Sequence, residues 1–219
     1  MLLCEQCGRN LVSPESRCCD ECSPKQQLAA QSRPPAIESD IFHDIKKFID
    51  YILSFHIFQE PAEAQEYIET HYNRFLKTLE KIPHGRGKLL EIGAAPFCMT
   101  LMIRACREFD LHVINYGSEA DIVLSSDKYG ERVVVPCRGT NVECDPFPYE
   151  TGEFDVVVCA EVIEHLTFHP SHMLCEIHRI LKPDGLLVLT TPNVLRLFYN
   201  YSNARRVIHG QNIYDPYSG

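Results

Sequence analysis

Residues 88–97 read KLLEIGAAPF, and this stretch decides the fold class. Its apolar first half is typical of a buried β-strand, and the small residues Gly93, Ala94 and Ala95 indicate a turn whose backbone can lie close to a ligand. The run that follows, CMTLMIRACREF, is typical of a helix. The stretch therefore predicts a strand, a tight turn of small residues and a helix, in that order.

Four more short runs rich in β-branched residues or leucine follow: LHVINYG, RVVVP, FDVVVCAEV and GLLVLTT. These runs are apolar on both faces and alternate with helical or turn-rich stretches, which indicates a parallel sheet with helices on each side. Because crossovers between parallel strands are right-handed, we predict a doubly wound α/β domain over residues 85–219.

Two helices are predicted upstream, over residues 37–84. In IESDIFHDIKKFIDYILSFHIF the apolar residues recur on one side at helical spacing. A second helix is predicted to begin near Glu60 and Pro61, because proline is favoured in a first turn, and to continue through AEAQEYIETHYNRFLKTLEKI. We expect these helices to form a cap over the site; the alternative is a helical extension that only packs against the domain.

Charge and composition limit the functions to consider. The formal net charge is −9, which argues against nucleic acid as the main partner because phosphate contacts need a basic face. The start, MLLCEQCGRN, lacks a basic region followed by an apolar core, and no apolar run approaches the ~20 residues of a membrane helix. The 11 cysteines then indicate a reducing compartment, so we predict a cytoplasmic protein without a membrane span.

Two C-x2-C pairs, Cys4 with Cys7 and Cys19 with Cys22, lie within residues 1–24. Their spacing matches a tetrahedral four-thiolate zinc site. So short a segment cannot bury enough apolar surface to fold alone, and a metal can hold it together. We predict a zinc-ribbon-like module with structural zinc, followed by a polar linker at 25–36. Free cysteines and a redox-active pair are the alternatives.

The strand and turn with Glu91 and Gly93 resemble motif I of class I S-adenosylmethionine-dependent methyltransferases, although Ala95 and Phe97 stand where glycines are common. Two later stretches, NVECDPFPYETGEFDVVVCAEVIEHL and HRILKPDGLLVLTTPN, resemble the family's segments around its fourth and fifth strands. The resemblance covers about residues 86–195, and its nearest branch holds ubiquinone-pathway, small-RNA-end and sugar or glycan methyltransferases. It implies a Rossmann-like fold, S-adenosylmethionine as cofactor, and a hydroxyl acceptor on a sugar, glycan or small molecule.

The resemblance also implies roles for individual residues. Glu91 matches the carboxylate near the amino-acid end of the cofactor, with Gly93, Ala94 and Ala95 forming the loop beneath it. Asn115 stands where an acidic residue usually binds the ribose hydroxyls, and an amide can bind a diol only without charge assistance. Glu143 matches the position that meets the adenine amino group. The remaining implied cofactor contacts are Tyr116, Cys159 and Glu161.

Residues 161–166, EVIEHL, carry the candidate catalytic groups. If Glu161 begins a helix, Glu164 and His165 lie on its face. The ubiquinone-pathway and small-RNA methyltransferases use such a set to hold a metal, so Glu161, Glu164 and His165 are a candidate site for a second divalent cation. Metal-free relatives have similar residues, which leaves two alternatives: His165, with Glu164, as general base or substrate-binding group, or a structural role.

After GLLVLTTPN the sequence predicts one helix and a loop, whereas this family normally ends with a sixth strand and an antiparallel seventh. We therefore expect a chain truncated at its carboxyl end. Two other function classes stay open. One is a weakly active or inactive cofactor-binding scaffold that acts through the zinc module and a protein partner. The other is a methyltransferase for RNA ends or proteins.

Overall fold

The computed structural model describes residues 2–3, 11–12, 44–58, 60–117, 119–168 and 170–193. The chain divides into two compact units, Met1–Glu38 and Ser39–Gly219. In the first unit, β1 (Leu2–Leu3) pairs antiparallel with β2 (Leu11–Val12). The zinc-ligand candidates Cys4, Cys7, Cys19 and Cys22 lie outside the described residues, as do the linker at 25–36 and residues 194–219.

Two helices begin the second unit. Asp44 caps α1 (Ile45–Leu53), because its carboxylate accepts the backbone N–H groups of Lys46 and Lys47. The second helix, α2 (Pro61–Lys81), has its proline in the first turn, as the sequence predicts. Both predicted helices are therefore present, and the described part of the first begins at Ile45 rather than near Ile37.

The elements that follow form the α/β domain. In chain order they are β3 (Arg86–Ile92), α3 (Cys98–Cys106), β4 (Glu108–Asn115), β5 (Ile122–Ser126), β6 (Glu131–Val135), β7 (Cys137–Gly139), β8 (Phe154–Ala160), a 3₁₀ helix (Ile163–His165), α4 (Pro170–Ile180) and β9 (Leu181–Thr190). Among the described strands, a five-stranded sheet has the order β7-β4-β3-β8-β9, and every pair within it is parallel. The α/β, Rossmann-like fold predicted from the sequence is thus confirmed.

The run RVVVP does not join the parallel sheet. It forms β6, which pairs antiparallel with β5 in a separate two-stranded sheet. The chain reverses at Gly130, which has a φ of +62° that glycine adopts without strain. Placing this run in the parallel sheet was wrong, because an apolar β-branched run has the same appearance in a hairpin and in a parallel strand.

The order of strands places a crevice beside β3. The sheet grows in both directions from this first strand, which makes the neighbourhood of β3 and β8 the topological switch point. Ile92 pairs in register with Ile114 of β4 and Cys159 of β8, so the three strands end at one edge. Leu90 of β3 and Val157 of β8 are fully buried. Their packing fixes the positions at which the loops after these two strands begin.

No helix among the described residues combines the length and apolar character needed to cross a membrane.

Candidate active site

The loop that leaves β3 is fixed by its backbone. Gly93 has a φ of +72°, and its N–H donates to the Ile114 carbonyl over 2.9 Å. A Cβ at this position would lie 2.5 Å from the Cγ2 atom of Val162, closer than real Cβ contacts allow. Glycine is therefore required here both by conformation and by the close approach of the segment that follows β8.

Asn115 ties the same loop to the end of β4. Its Oδ1 atom accepts the N–H of Ala94 over 2.9 Å. This bond uses one lone pair of the side-chain oxygen to position the loop, and the second lone pair and the amide N–H groups remain for other partners. The residue predicted to bind ribose hydroxyls thus has a structural role that the sequence did not indicate.

An open cavity of about 280 Å³ lies over the loop. Its walls come from the loop and the start of α3, from the segment after β8, and from one face of α2. The lining residues are Tyr67, His71, Arg74, Phe75, Thr78, Glu91, Gly93, Ala94, Ala95, Pro96, Cys98, Met99, Ala160, Glu161 and His165. Phe97, which caps α3 with a φ of +71°, is half-buried and does not line the cavity.

Glu91 is the buried carboxyl of this cavity, with 3% of its surface exposed. The Thr100 hydroxyl donates to its Oε2 atom over 2.6 Å, and no other hydrogen-bond partner is found for it in the described part of the chain. Burial raises the pKa of Glu91 to about 8, so the carboxyl is protonated at neutral pH when no cation is nearby. A positively charged group in the cavity would favour its ionised form.

Glu161 is held by three contacts from two elements, α2 and β9. Its Oε2 atom lies 3.0 Å from Nη1 of Arg74 on α2, and its Oε1 atom accepts the Thr190 hydroxyl of β9 over 3.0 Å. Its backbone N–H also donates to the Thr190 carbonyl. The side chains of Arg74 and Glu161 are 29% and 15% exposed, so the pair is largely shielded from water and keeps one arrangement.

Glu161 does not begin a helix, and the expectation that it does was wrong. The residue adopts a left-handed conformation with a φ of +58°, and only a short 3₁₀ turn, Ile163–His165, follows. Glu164 accepts the Thr191 hydroxyl instead of joining the cavity wall, and burial followed by the charge of Glu161 raises its pKa. His165 does line the cavity.

The left-handed residue removes the helical spacing on which the proposed second metal site depended. In the described ranges no group of three or more His, Cys, Asp or Glu side chains is arranged to hold a metal ion. Glu161, Glu164 and His165 are therefore not brought together as ligands. The four cysteines of the zinc prediction were outside this search.

Three further residues predicted to contact cofactor lie away from the cavity. Glu143 accepts the backbone N–H groups of Thr167 and Phe168 and so holds the segment that follows His165. Cys159 is fully buried with its sulfur 3.8 Å from that of Met173, and burial raises the pKa of its thiol to about 12. Tyr116 is 84% exposed beyond the end of β4.

One face of α2 supplies groups that the sequence reading missed. Tyr67, His71, Arg74 and Thr78 follow one another at intervals of four, three and four residues and all line the cavity. The rings of Tyr67 and His71 meet edge to face with centroids 4.7 Å apart. Burial, and then the charge of Arg74, lower the pKa of His71, so this imidazole is neutral at neutral pH. The sequence feature that could have identified these residues is their helical spacing, with polar and aromatic side chains on one face.

Comparison with known proteins agrees with the geometry. Residues 91–189 match the family model described as Methyltransferase domain. This part of the chain is similar to a methyltransferase domain. It includes the loop at Gly93, β8 and the segment that carries Glu161 and His165, whereas α2 precedes it.

Solved methyltransferase structures are similar to parts of this chain at low sequence identity. One from Thermotoga maritima is 18% identical, with 69% of this chain and 68% of that chain aligned and a TM-score of 0.45. The Haloferax volcanii methyltransferase solved in complex with the activator Trm112 is 16% identical, over 64% of this chain and 57% of that one, with a TM-score of 0.44. One from Methanococcus maripaludis is 13% identical, over 78% and 69%, with a TM-score of 0.39. No curated protein matches the sequence.

Proposed function

We propose that this protein is an S-adenosylmethionine-dependent methyltransferase whose cofactor lies in the cavity between the Gly93 loop and α2. One observation carries the proposal: the cavity combines exposed small-residue backbone with a buried carboxyl, Glu91, and a cation, Arg74. The family match of residues 91–189 supports the same activity.

The lining fits the charges of this cofactor. Its ammonium and sulfonium groups are cationic, and Glu91 can ionise beside them at little cost because burial alone keeps the carboxyl neutral. Its carboxylate needs a cation, and Arg74 is the one permanently charged cation that lines the cavity in the described residues. S-adenosylmethionine supplies an electrophilic methyl group when bound.

The chain's own residues then have two tasks, to orient the acceptor and to take its proton. The acceptor oxygen forms its bond to the methyl carbon as the carbon–sulfur bond breaks, and the hydroxyl proton passes to a base. Burial raises the pKa values of Tyr67 and Cys98, the latter to about 12, so neither is ionised at neutral pH. Glu161 is engaged by Arg74 and Thr190.

Two lining residues remain as bases, His71 and His165. We favour His71, because its imidazole is held against Tyr67 and is neutral near pH 7. His165, with Glu164 behind it, is the base that the sequence alone suggests. The acceptor that we propose is a hydroxyl on a sugar, glycan or small molecule, since the net charge of −9 disfavours RNA.

The amino-terminal cysteines belong to the proposal as a separate part. We propose that Cys4, Cys7, Cys19 and Cys22 bind one structural zinc ion, on the basis of their spacing alone. The resulting module is a candidate site for a protein partner. The 11 cysteines of the chain also favour a reducing, cytoplasmic location.

Calorimetric titration with S-adenosylhomocysteine tests the proposed function directly. The wild-type protein should bind one equivalent, and Gly93→Ala should abolish measurable binding because its Cβ would displace Val162 and the loop. Gly117→Ala is the matched control: Gly117 has nearly the same φ, +73°, but no atom within 4 Å of an added Cβ. If the folded wild-type protein does not bind, an inert scaffold that acts through the zinc module replaces this proposal.

A further inference from the structure

A second, larger cavity lies between α2 and β9. Its volume is about 1220 Å³, and it takes the form of an open groove. One wall is the carboxyl-terminal half of α2, including Lys77 and Lys81, and the other is the apolar strand at residues 186–190. Nothing in the family match or the proposed cofactor site assigns a role to it.

The groove is continuous with the proposed cofactor cavity. In the described part of the chain, four residues line both spaces: His71, Arg74, Thr78 and Glu161. Since a methyl group moves only between atoms in contact, the acceptor must reach this junction from outside the cofactor cavity. The groove offers that approach, and it brings an acceptor hydroxyl next to His71.

The helix side of the groove is basic although the whole chain is acidic. Among the described residues, the lining contains three permanent cations, Arg74, Lys77 and Lys81, and one carboxylate, Glu161, which Arg74 already engages. Lys77 and Lys81 are exposed and lie one helical turn apart, and within the described ranges no carboxylate pairs with either. In a chain of net charge −9, two adjacent unpaired lysines in one groove select for an anion.

The strand side of the groove is apolar. Leu186, which lies on the same face of β9 as Thr190, lines the groove and is 40% exposed. Covering this side chain with an apolar ligand would be favourable because it removes apolar surface from water.

We infer that this groove binds the methyl acceptor and that the acceptor is an anionic amphiphile. Its acidic group lies on Lys77 and Lys81, its apolar part covers Leu186, and its hydroxyl reaches the junction at His71. The inference rests on the proposed function, because that function identifies the reaction. The predicted binding of an anionic amphiphile in the groove can be tested independently of that function.

The test uses the full chain and simple probes. Octyl phosphate and octanoate carry an acidic group and an apolar chain, octyl glucoside carries the chain alone, and inorganic phosphate carries the charge alone. Binding below the micellar range is measured by calorimetry for the wild type, for Lys77→Gln with Lys81→Gln, and for Lys46→Gln with Lys47→Gln. The last pair is the matched control, since it removes two exposed adjacent charges from α1, away from the groove.

The acidic octyl probes should bind at one site, and the Lys77/Lys81 variant should weaken them about tenfold whereas the control changes affinity less than about twofold. Whichever acidic probe binds more tightly identifies the head group. Equal affinity for octyl glucoside or inorganic phosphate, or equal affinity in both variants, overturns the inference. Absence of binding also overturns it and would indicate that residues 194–219 or another protein fill the groove. S-adenosylhomocysteine titrated into the same samples separates these results from a failure of the proposed function.

Discussion

Two buried carboxyls in this domain have nearly the same hydrogen bonding and burial, but only one of them lines a cavity. Glu91 and Glu131 are 3% and 7% exposed, and each accepts a hydrogen bond from one hydroxyl, that of Thr100 and that of Tyr51. Burial raises the pKa of both. Glu91, however, faces the cofactor cavity, whereas Glu131 starts β6 at the contact between α1 and the hairpin and lines none of the three cavities described in this domain.

The comparison shows what a raised pKa can and cannot indicate. A carboxyl becomes a weaker acid wherever packing removes water, whether or not a ligand will later occupy the space. The candidate function of Glu91 follows from the cavity beside it, which Arg74 also lines. Glu131 has a stabilising bond to Tyr51 instead. The two residues are therefore natural controls for each other.

The largest effect should be on the pH dependence of stability. The folded state holds the Glu91 proton from the ordinary pKa of 4.5 up to about 8, while the unfolded chain releases it, so the free energy of unfolding falls as pH rises through this window. Glu91→Gln keeps an acceptor for Thr100 and removes the ionisation. Relative to wild type, its gain in stability between pH 5 and pH 8 should approach a few kcal/mol.

Urea denaturation at a series of pH values measures that difference. Glu131→Gln should change the pH dependence of stability in the same direction, since burial raises the Glu131 pKa as well. A Glu91→Gln variant whose stability runs parallel to wild type from pH 5 to pH 8 would mean that the carboxyl is already ionised in the folded protein.

The second effect is on the affinity for S-adenosylhomocysteine, which should depend on Glu91 and not on Glu131. Glu91→Gln removes the anion that would meet the cofactor's ammonium group, and loss of a charge-assisted hydrogen bond of this kind weakens binding on the order of 30-fold to 100-fold. Glu131→Gln should leave the affinity for S-adenosylhomocysteine within about twofold. Calorimetry on both variants checks this, and similar losses in the two would show that the cavity at Glu91 is not the cofactor site.

The sequence was sufficient to predict those site residues whose roles depend on neighbouring residues along the chain. Glu91 and Gly93 could be identified because the strand, the small-residue turn and the helix are contiguous, and the structure places both in the cavity. Tyr67, His71 and Arg74 were missed because their importance depends on which face of α2 packs over the sheet. That rotation is set by tertiary contacts of residues such as Ile68 and Leu79, which are distant in sequence from the loop.

The reading of EVIEHL failed for a different reason. The three residues have the spacing of one helical face, and a single left-handed residue at Glu161 cancels that spacing. Non-glycine residues rarely adopt such a conformation, so no pattern rule anticipates it. Here Arg74 and Thr190 hold both carboxylate oxygens and the Thr190 carbonyl accepts the backbone N–H, contacts that come from other elements.

The smallest effect compares two ion pairs, one in each region. Arg74 with Glu161 is largely shielded, whereas Lys128 with Asp50, at the contact of the hairpin with α1, is 57% and 48% exposed. Arg74→Met should weaken S-adenosylhomocysteine binding about tenfold, because it removes the cation for the carboxylate, and Arg74→Lys should restore part of it since the charge returns without the planar fork. Lys128→Met should change neither affinity nor, beyond about 0.5 kcal/mol, stability, because an exposed pair is screened by water. Equal affinities for the Arg74 and Lys128 variants would remove Arg74 from the proposed site and leave α2 as a helix that only packs against the domain.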